Sequence, residues 1–309
     1  MPKKYLVTGA AGFIGAAVAR KLVNLGNTVW TIDNLSSGCK ENIPAGVVFI
    51  EGDCQDKNSL AALKDVSFDA ILHIAGQSSG EISFEDPVYD LRTNTESTLL
   101  LIKYALKTRC ERFIYASSMS VYGAVEDAPI NETHACQPLS FYAVGKLASE
   151  NYLRIYQSQG IKPTVLRLFN VYGAGQNMQN LKQGMVSIYL AQLLGEGDLI
   201  VKGALDRFRD LIYIDDVVDV FLTILENERS VGNIYNVGTS KKTTVAELIE
   251  LLMRISGIDK EIKQVAGTPG DQRGIYGDIT KIRNELGFVP RINLEAGLDK
   301  MIKWAKESN

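Results

Sequence analysis

The sequence predicts an α/β fold in which a doubly wound parallel sheet is accompanied by a smaller C-terminal α/β lobe. Strand-like and helix-like segments alternate through the first half of the chain, and a glycine-rich turn joins the first strand to the first helix. The alternation weakens after about Gly173. Alternating strands and helices form βαβ units, whose parallel strands are covered by helices on both faces.

The first half supplies six predicted strands in order. The apolar run KYLVTG is the first, and the helical period of GFIGAAVARKLVNLG ends at a glycine. TVWTID, VVFIEGD and FDAILHIAG are the next three strands, and a long helix is expected from about Pro87 to Lys107. RFIYASS is the fifth strand, SFYAVGKLASENYLRIYQSQG is a helix with a glycine stop, and PTVLRLFNVYG is the sixth strand.

The second half predicts a smaller lobe packed on the first domain. Short strands are expected at LIVKG, DLIYI and NIYNVG, after the polar loop AGQNMQNLKQG. Helices are expected around residues 185–194, 214–227, 244–256 and 294–306. The predicted first domain spans residues 1–173, with a strand and a helix returning to it from about 211–237, and residues 174–309 form most of the second lobe.

Composition narrows the classes of function. The chain has 309 residues, is 46% hydrophobic and 22% charged, and carries a formal net charge of -3 without a basic tract, which argues against a nucleic-acid partner. No apolar run reaches the roughly 20 residues that span a bilayer, and MPKKYLVTG leaves no room for a signal peptide, so no membrane association is expected. Four scattered cysteines and two histidines predict a reduced, cytoplasmic protein without a metal site.

The turn VTGAAGFIG has the physical features of a dinucleotide-binding turn. Gly9, Gly12 and Gly15 permit a tight turn and a close approach to a pyrophosphate, and the following helix N-terminus offers free N–H groups. An ordinary strand–turn–helix connection is the alternative interpretation. The glycines alone therefore leave the ligand open, and the acidic residues downstream carry more information.

Two aspartates follow the next strands. Asp33 ends the second strand, where its carboxylate can accept from both ribose hydroxyls and would repel a 2′-phosphate, which favours NAD over NADP. A helix-cap or turn aspartate in DNLSSG is the alternative for Asp33. Asp53 could accept from the adenine amino group and Cys54 could line the adenine edge, unless Asp53 is simply a loop acid.

A tyrosine and a lysine stand four residues apart in LSFYAVGKLASE. Tyr142 and Lys146 share one face if this stretch is helical. On its own, this spacing is common on solvated helix surfaces and usually has no functional meaning. The surrounding motifs decide between the two interpretations.

In order along the chain, the motifs resemble those of the extended short-chain dehydrogenases/reductases, in particular the nucleotide-sugar epimerase/dehydratase family. The resemblance implies a Rossmann domain that holds NAD permanently, and a C-terminal lobe for a nucleotide sugar. It covers nearly the whole chain, and the matching stretches are TGAAGFIG, IDNLSSG, GD, HIAGQ, YASSMSVYG, YAVGK, RLFNVYGAGQ and RFRDLIYIDDVVD.

The resemblance assigns roles to the catalytic candidates. Tyr142 is the acid/base, and the Lys146 ammonium, with the positive nicotinamide ring, is expected to lower the phenol pKa from its usual value near 10 and to hold the ribose. Ser118 bridges the sugar oxygen and the tyrosine, with Ser117 as the alternative. The cofactor-binding candidates are Gly9, Gly12, Phe13, Ile14, Gly15, Asp33, Asn34, Asp53, Cys54, Ala75, Gly76, Tyr142 and Lys146.

The residues after Ser118 bear on the reaction. Resemblance suggests that sugar 4,6-dehydratases carry an Asp–Glu pair there, whereas this chain has Met119 and Ser120, neither of which is a competent acid or base. We therefore expect an NAD-dependent 4-epimerase. A dehydrogenase, a reductase or a dehydratase of the same family, and a non-catalytic NAD-binding sensor, remain open as alternatives.

The resemblance also suggests where the nucleotide sugar binds. Asn170 matches an asparagine near the diphosphate and Arg209 matches an arginine that contacts it, with a surface salt bridge to Asp206 or Asp210 as the alternative for the arginines of this stretch. Arg207 offers a second charge beside Arg209. Thr268 stands where many 4-epimerases have a second arginine, a departure that Arg273 could offset from further along the chain. The substrate-binding candidates are Ser118, Asn170, Arg209, Arg273 and Ile275.

Three further expectations concern specificity and assembly. Ile275 falls near the family position that gates bulky C2 groups, and its modest size would admit C2-substituted sugars. Asn94 matches an asparagine near the catalytic serine, unless it lies on a helix surface. Relatives pair the helices corresponding to residues 87–107 and 141–159 into a dimer, so a homodimer is expected, although burial within one subunit explains the same apolar pattern.

Overall fold

The computed structural model of the protein describes residues 2–181, 184–267 and 273–307. The strands are β1 Lys4–Thr8, β2 Thr28–Asp33, β3 Val48–Glu51, β4 Ala70–His73, β5 Arg112–Ser118, β6 Lys162–Leu168, β7 Asn170–Tyr172, β8 Leu199–Lys202, β9 Phe208–Arg209, β10 Leu211–Tyr213, β11 Ile234–Val237, β12 Thr243–Thr244, β13 Ile262–Val265 and β14 Gly274–Ile275. The α-helices are α1 Phe13–Asn24, α2 Lys57–Ala61, α3 Gly80–Glu85, α4 Pro87–Leu91, α5 Ser97–Thr108, α6 Phe141–Tyr156, α7 Met185–Leu194, α8 Ile214–Glu226, α9 Val245–Ser256, α10 Thr280–Leu286 and α11 Leu294–Glu307.

Seven parallel strands form the central sheet in the order β11-β6-β5-β4-β1-β2-β3. The direction of winding reverses between β1 and β4, which are neighbours in the sheet but not consecutive in the chain. The predicted doubly wound parallel sheet is confirmed. Ligands of such sheets bind outside the carboxyl ends of the strands at this reversal.

Apolar layers cover both faces of the sheet. On one face, β1, β5 and β6 side chains pack with α1, α8 and helices of the second lobe, and on the other they pack with α2 and α5. β4 is buried along its whole length. A strand buried on both faces reads as a continuous apolar run, which explains why KYLVT and RFIYASS were recognisable as strands.

The second lobe consists of small strand groups around α7, α9 and α11. β8 pairs with β13, β9 pairs with β12 and β14, and β7 pairs with β10. The chain also returns to the large sheet, because β11 pairs with β6 and α8 packs against α1. The division into domains near Gly173 stays a prediction.

The sixth predicted strand is in fact two strands. β6 ends at Leu168 and pairs with β5 and β11, whereas β7 begins at Asn170 and pairs with β10 outside the central sheet. The intervening Phe169 is buried beside Ile275 in a third, smaller apolar cluster. An unbroken apolar pattern cannot reveal that a strand changes its partner in this way, because both halves are equally buried.

The long helix expected from Pro87 to Lys107 is interrupted. A π-helical turn at Arg92–Glu96 separates α4 from α5. Hydroxyls along this stretch bond to carbonyls one turn back, as Thr93 does to Tyr89 at 3.0 Å and Thr98 to Asn94 at 2.9 Å. Such side-chain bonds compete with the regular helical ladder, and π turns are frequent at functional sites.

Candidate active site

The glycine turn lies at the carboxyl end of β1, where it packs against the loop after β4. Gly9 has a φ of +77°, and a Cβ there would come within 2.9 Å of the Ala75 Cα. A Cβ at Gly15 would collide with the Gly9 carbonyl oxygen. Gly12 caps α1, and half-buried Phe13 and Ile14 open it, so the first N–H groups of this helix point towards the reversal of the sheet.

Asp33 connects this turn to the end of β2. One carboxylate oxygen accepts from the Ala11 backbone N–H at 2.9 Å, and the other accepts from the Leu35 backbone N–H at 2.9 Å. Asp33 thus stabilises a turn, as its alternative interpretation has it. Each carboxylate oxygen can accept more than one bond, so capacity remains for ribose hydroxyls.

The residues predicted to surround the adenine differ in exposure. Asn34 donates to Asp53 at 2.7 Å, which links the ends of β2 and β3. Cys54 is only 5% exposed and packs into the core, and burial raises the pKa of its thiol well above the ordinary value. Its side chain therefore offers little surface to a ligand, whereas Asn34 and Asp53 lie at the edge.

Tyr142 and Lys146 are not a solvated pair. Their side chains belong to residues only 9% and 4% exposed, on the face of α6 that packs against β5. The Lys146 Nζ donates to the Ala116 carbonyl at 2.9 Å and lies 5.8 Å from the centre of the Tyr142 ring. The Ser118 hydroxyl donates to the Ser120 hydroxyl at 3.1 Å and lies close enough to the phenol to act against the rise in its pKa. The structure thus brings all three predicted catalytic residues together.

The protein by itself does not lower the pKa of the phenol. Burial raises the pKa of Tyr142 to about 12, against the opposing hydrogen bond from Ser118, and Asp90 raises it further. Burial lowers the pKa of Lys146 to about 8, although Asp90 and Glu150 oppose that shift. In the protein alone, desolvation outweighs the attraction of the Lys146 ammonium. The expectation that Lys146 and the positive nicotinamide ring together lower the pKa of the phenol stays a prediction.

The two serines at the end of β5 have different partners. Ser117 donates to Glu150, which also forms a buried ion pair with Arg167, whose Nη2 lies 2.7 Å from the carboxylate. Ser118 accepts from the Ser120 backbone N–H at 3.2 Å and faces the phenol. The geometry favours Ser118 over Ser117 as the partner of Tyr142.

A buried carboxylate beside these residues was missed in the sequence. Asp90 on α4 is 1% exposed and accepts from the Gln77 side-chain amide at 2.9 Å and from the Asn94 side-chain amide at 3.2 Å. Burial raises its pKa, and Lys146 acts in the opposite direction. Asn94 itself is 1% exposed, so the surface-helix alternative is wrong. The available signal was the spacing of four between Asp90 and Asn94.

The predicted substrate residues fall into two groups. Arg209 is 6% exposed and lies near Arg207, and burial together with that neighbour lowers its pKa to about 10. Asn170 starts β7, and its side-chain oxygen is buried without a hydrogen-bond partner in the described part of the chain. Ile275 is buried beside Phe169.

Arg273, by contrast, has a side chain that is 75% exposed and pairs with Asp206 at 3.2 Å. Its salt bridge is therefore of the surface kind, which contributes little. Thr268 lies outside the described residues. Among the residues described, no cluster of three or more His, Cys, Asp or Glu side chains could hold a metal, and no helix is long and apolar enough to cross a membrane.

The cradle formed by Gly9, Gly15 and Ala75 fits a dinucleotide, because the two glycines permit the close backbone contacts of the tight turn that approaches a pyrophosphate. A parallel sheet with this cradle at its reversal and a buried Tyr–Lys–Ser group beside it defines the class of short-chain dehydrogenases/reductases. The chain belongs to the NAD dependent epimerase/dehydratase family, whose model matches residues 5–238. The predicted family, enzyme class and NAD cofactor are confirmed.

Individual relatives share nearly the full length. The chain is 33% identical to a putative UDP-glucose 4-epimerase of Methanocaldococcus jannaschii, over 98% of this chain and 99% of the relative. A crystal structure of the Thermotoga maritima UDP-glucose 4-epimerase with UDP-glucose has a TM-score of 0.95 at 34% identity and covers 99% of both chains. The Thermus thermophilus UDP-glucose 4-epimerase in complex with NAD has a TM-score of 0.93 at 30% identity, covering 99% of this chain and 100% of that one.

Proposed function

We propose that the protein is a nucleotide-sugar 4-epimerase that works through a transient 4-keto sugar, with Tyr142 as the acid/base. The observation that carries the proposal is the buried group of Tyr142, Lys146 and Ser118 beside the glycine cradle. The similarity to UDP-glucose 4-epimerases over the full chain supports the substrate class.

The side chains divide the work as follows. The Tyr142 oxygen takes the proton from the sugar hydroxyl and returns it after the keto sugar has rotated to present its other face. Ser118 hydrogen-bonds the same sugar oxygen. NAD, when bound, supplies the acceptor that takes the sugar hydride and gives it back. Lys146, anchored on the Ala116 carbonyl, contributes the positive charge that favours the phenolate.

The neighbours of Ser118 favour epimerisation over water loss. Ser120 hydrogen-bonds Ser118, and Met119 is half-buried in the apolar cluster that contains Val121. Neither side chain can remove or add a proton at a sugar carbon near neutral pH. A 4-epimerase needs no such second acid or base, because the ketone only has to present its other face.

A Tyr142→Phe variant tests the mechanism. We expect turnover of UDP-glucose to fall roughly 10²- to 10⁴-fold, the usual contribution of a general acid/base, while bound NAD is retained. Tyr152→Phe, at a 37% exposed position of the same helix, is the matched control and should keep its turnover. Full activity of the Tyr142→Phe enzyme would disprove the assigned role.

Product analysis separates the alternatives. NMR of the product should show an inverted C4 centre without net NADH formation. Net NADH would indicate a dehydrogenase, and loss of water would indicate a dehydratase. Tight NAD binding without turnover of any nucleotide sugar would favour the non-catalytic sensor.

The proposal extends to the residues that would bind the nucleotide sugar. We infer that buried Arg209, together with Arg207 and Asn170, contacts the diphosphate, whose charge a fork-shaped guanidinium suits. Arg273 is a weaker candidate because it is exposed. The Ile275 hypothesis predicts turnover of C2-acetamido sugars, and strict rejection of UDP-N-acetylglucosamine would exclude it.

We infer that the protein forms a homodimer in the cytoplasm. Exposed apolar side chains line α4 and α6, where Val88, Leu91, Val144 and Ile155 are each more than half exposed and run along neighbouring helices. A second copy would cover this stripe as a four-helix contact. Light scattering should give a dimer that Val144→Glu disrupts, whereas Ile200→Glu, an exposed apolar site on β8, should not.

A further inference from the structure

Two glycines, Gly76 and Gly145, lie where the loop after β4 and helices α4 and α6 meet beside the catalytic lysine. A Cβ at Gly76 would meet the Asn94 side-chain oxygen and would lie 3.5 Å from the Lys146 Nζ. A Cβ at Gly145 would lie 3.4 Å from an Asp90 carboxylate oxygen. The two glycines thus allow Asp90 and Asn94 to approach the lysine from one side.

Two side-chain oxygen atoms beside these glycines are buried without a hydrogen-bond partner among the described residues. They are the Asp90 Oδ2 and the Asn94 Oδ1. The other Asp90 oxygen accepts from two amides, Gln77 and Asn94, rather than from a cation. A buried carboxylate is costly unless a positive charge compensates it.

The second buried carboxylate nearby is already compensated. Glu150, one turn after Lys146 on α6, receives two bonds from the Arg167 guanidinium, at 3.1 Å and 2.7 Å. A guanidinium held in this way offsets part of the field that Glu150 exerts on the lysine. Both carboxylates raise the pKa of Lys146, and Asp90 has the larger influence.

We propose that Asp90 is a positioning residue of the reaction, whose buried carboxylate is the counter-charge that keeps Lys146 an ammonium and orients Asn94 beside it. The inference rests on the proposed function, since it assigns a role within the same site. The proposal assigns to α4 a function in the reaction that the Tyr142–Lys146–Ser118 group alone does not require. His73 on β4 and Tyr115 on β5 also face Lys146, and neither carries a negative charge near neutral pH.

The sign of the effect follows from electrostatics. A negative charge near Lys146 favours its protonated form, and the same charge near Tyr142 disfavours the phenolate, so Asp90 raises the pKa of both groups. Asp90→Asn should lower both. If Tyr142 must lose its proton and Lys146 must keep its own, both limbs of the pH–rate profile move to lower pH, by about one pH unit.

Asp90→Asn isolates the charge because an amide oxygen can still accept from Gln77 and Asn94. Its pH–rate profile should shift as a whole, whereas a merely structural role would lower the melting temperature and leave both limbs in place. Asp86→Asn is the matched control, since this exposed aspartate caps the same helix through the Tyr89 N–H at 2.9 Å. It should leave the limbs unmoved.

A titration without substrate separates this inference from the proposed function. The phenolate absorbance of the NAD-loaded protein, with the Tyr142→Phe signal subtracted, reports the pKa of Tyr142 even if no sugar is turned over. Asp90→Asn should lower that pKa, and Asp90→Ser should do the same if the asparagine variant does not fold. Unchanged titration in the folded variant overturns the proposal.

Discussion

The cofactor side and the substrate side of the site are built differently. The cofactor side is made of backbone turns within short stretches, such as the turn from Gly9 to Gly15, in which a Cβ at either of these two glycines would collide with backbone atoms. The substrate side collects side chains from distant segments. There, Asp210 accepts from the backbone N–H groups of Thr239, Ser240 and Gly277, at 2.7, 2.9 and 3.1 Å.

This difference between the two sides explains which part of a binding site can be predicted from a short sequence motif. A backbone turn needs specific residue types at fixed spacing, so its signature is contiguous. A buried carboxylate that joins three segments needs only one acid and several N–H groups, which every residue except proline supplies. Variants of the glycine turn and variants of the buried carboxylate should therefore differ in which property they lose, cofactor binding or stability alone.

Gly15→Ala should have the largest effect. The new methyl group would collide with the Gly9 carbonyl oxygen and lie 3.0 Å from the Ala10 Cα, so backbone must move in both segments. We expect a loss of about 3 kcal/mol in the free energy of unfolding, together with loss of bound NAD. Denaturant unfolding and the NAD content of the purified protein measure both.

Gly26→Ala is the control for that variant. Gly26 has a φ of +80°, but a Cβ there would meet nothing within 4 Å. The backbone conformation should therefore cost about 1 kcal/mol and leave the NAD content unchanged. If Gly15→Ala and Gly26→Ala lost the same amount of stability and of bound NAD, the close contact between Gly15 and Gly9 would be unimportant.

Asp210→Asn should come next. The amide nitrogen of asparagine would face N–H donors that the carboxylate now satisfies, so we expect a loss of about 2 kcal/mol in the free energy of unfolding. Asp206→Asn removes an exposed partner of Arg273 and should cost under about 1 kcal/mol. Denaturant titration of both variants tests the contrast, which similar values would refute.

Arg209→Lys probes the substrate side directly. A lysine cannot reproduce a bidentate contact, so the KM for UDP-glucose should rise about tenfold with little change in kcat. Arg273→Lys should raise the KM by about twofold at most, because its exposed charge is screened. Steady-state kinetics measure both values, and a larger effect at Arg273 would reverse the assignment.

Asp33→Ser should have the smallest effect, on cofactor affinity. Loss of the ribose contacts and of the hydrogen bond from the Ala11 N–H should weaken NAD binding about fivefold. It should also reduce the ratio of NAD affinity to NADP affinity. Asp65→Ser, which removes an exposed partner of Lys107, is the control. Calorimetry with the two dinucleotides decides, and an unchanged preference for NAD would contradict the role of Asp33.

Sequence patterns predicted the central sheet because its inner strands, such as β4 and β5, are buried on both faces and its helices have clear periods. They missed the change of partner after Leu168 and the π-helical turn before Ser97, since neither alters the apolar pattern. They indicated Tyr142 and Lys146 through a fixed spacing. They did not indicate Asp90, which looks like any acidic residue on a short helix.

The sequence by itself determined the glycine turn and the Tyr–Lys spacing, because both depend on which residue types stand a few positions apart. Only the tertiary structure decided which serine faces Tyr142, that Arg209 is buried while Arg273 is exposed, and that Asp90 approaches Lys146. The physical reason is that solvation and charge pairing are set by neighbours distant in the chain. Residue type states what a group can do, and burial among those neighbours sets its charge and its partners.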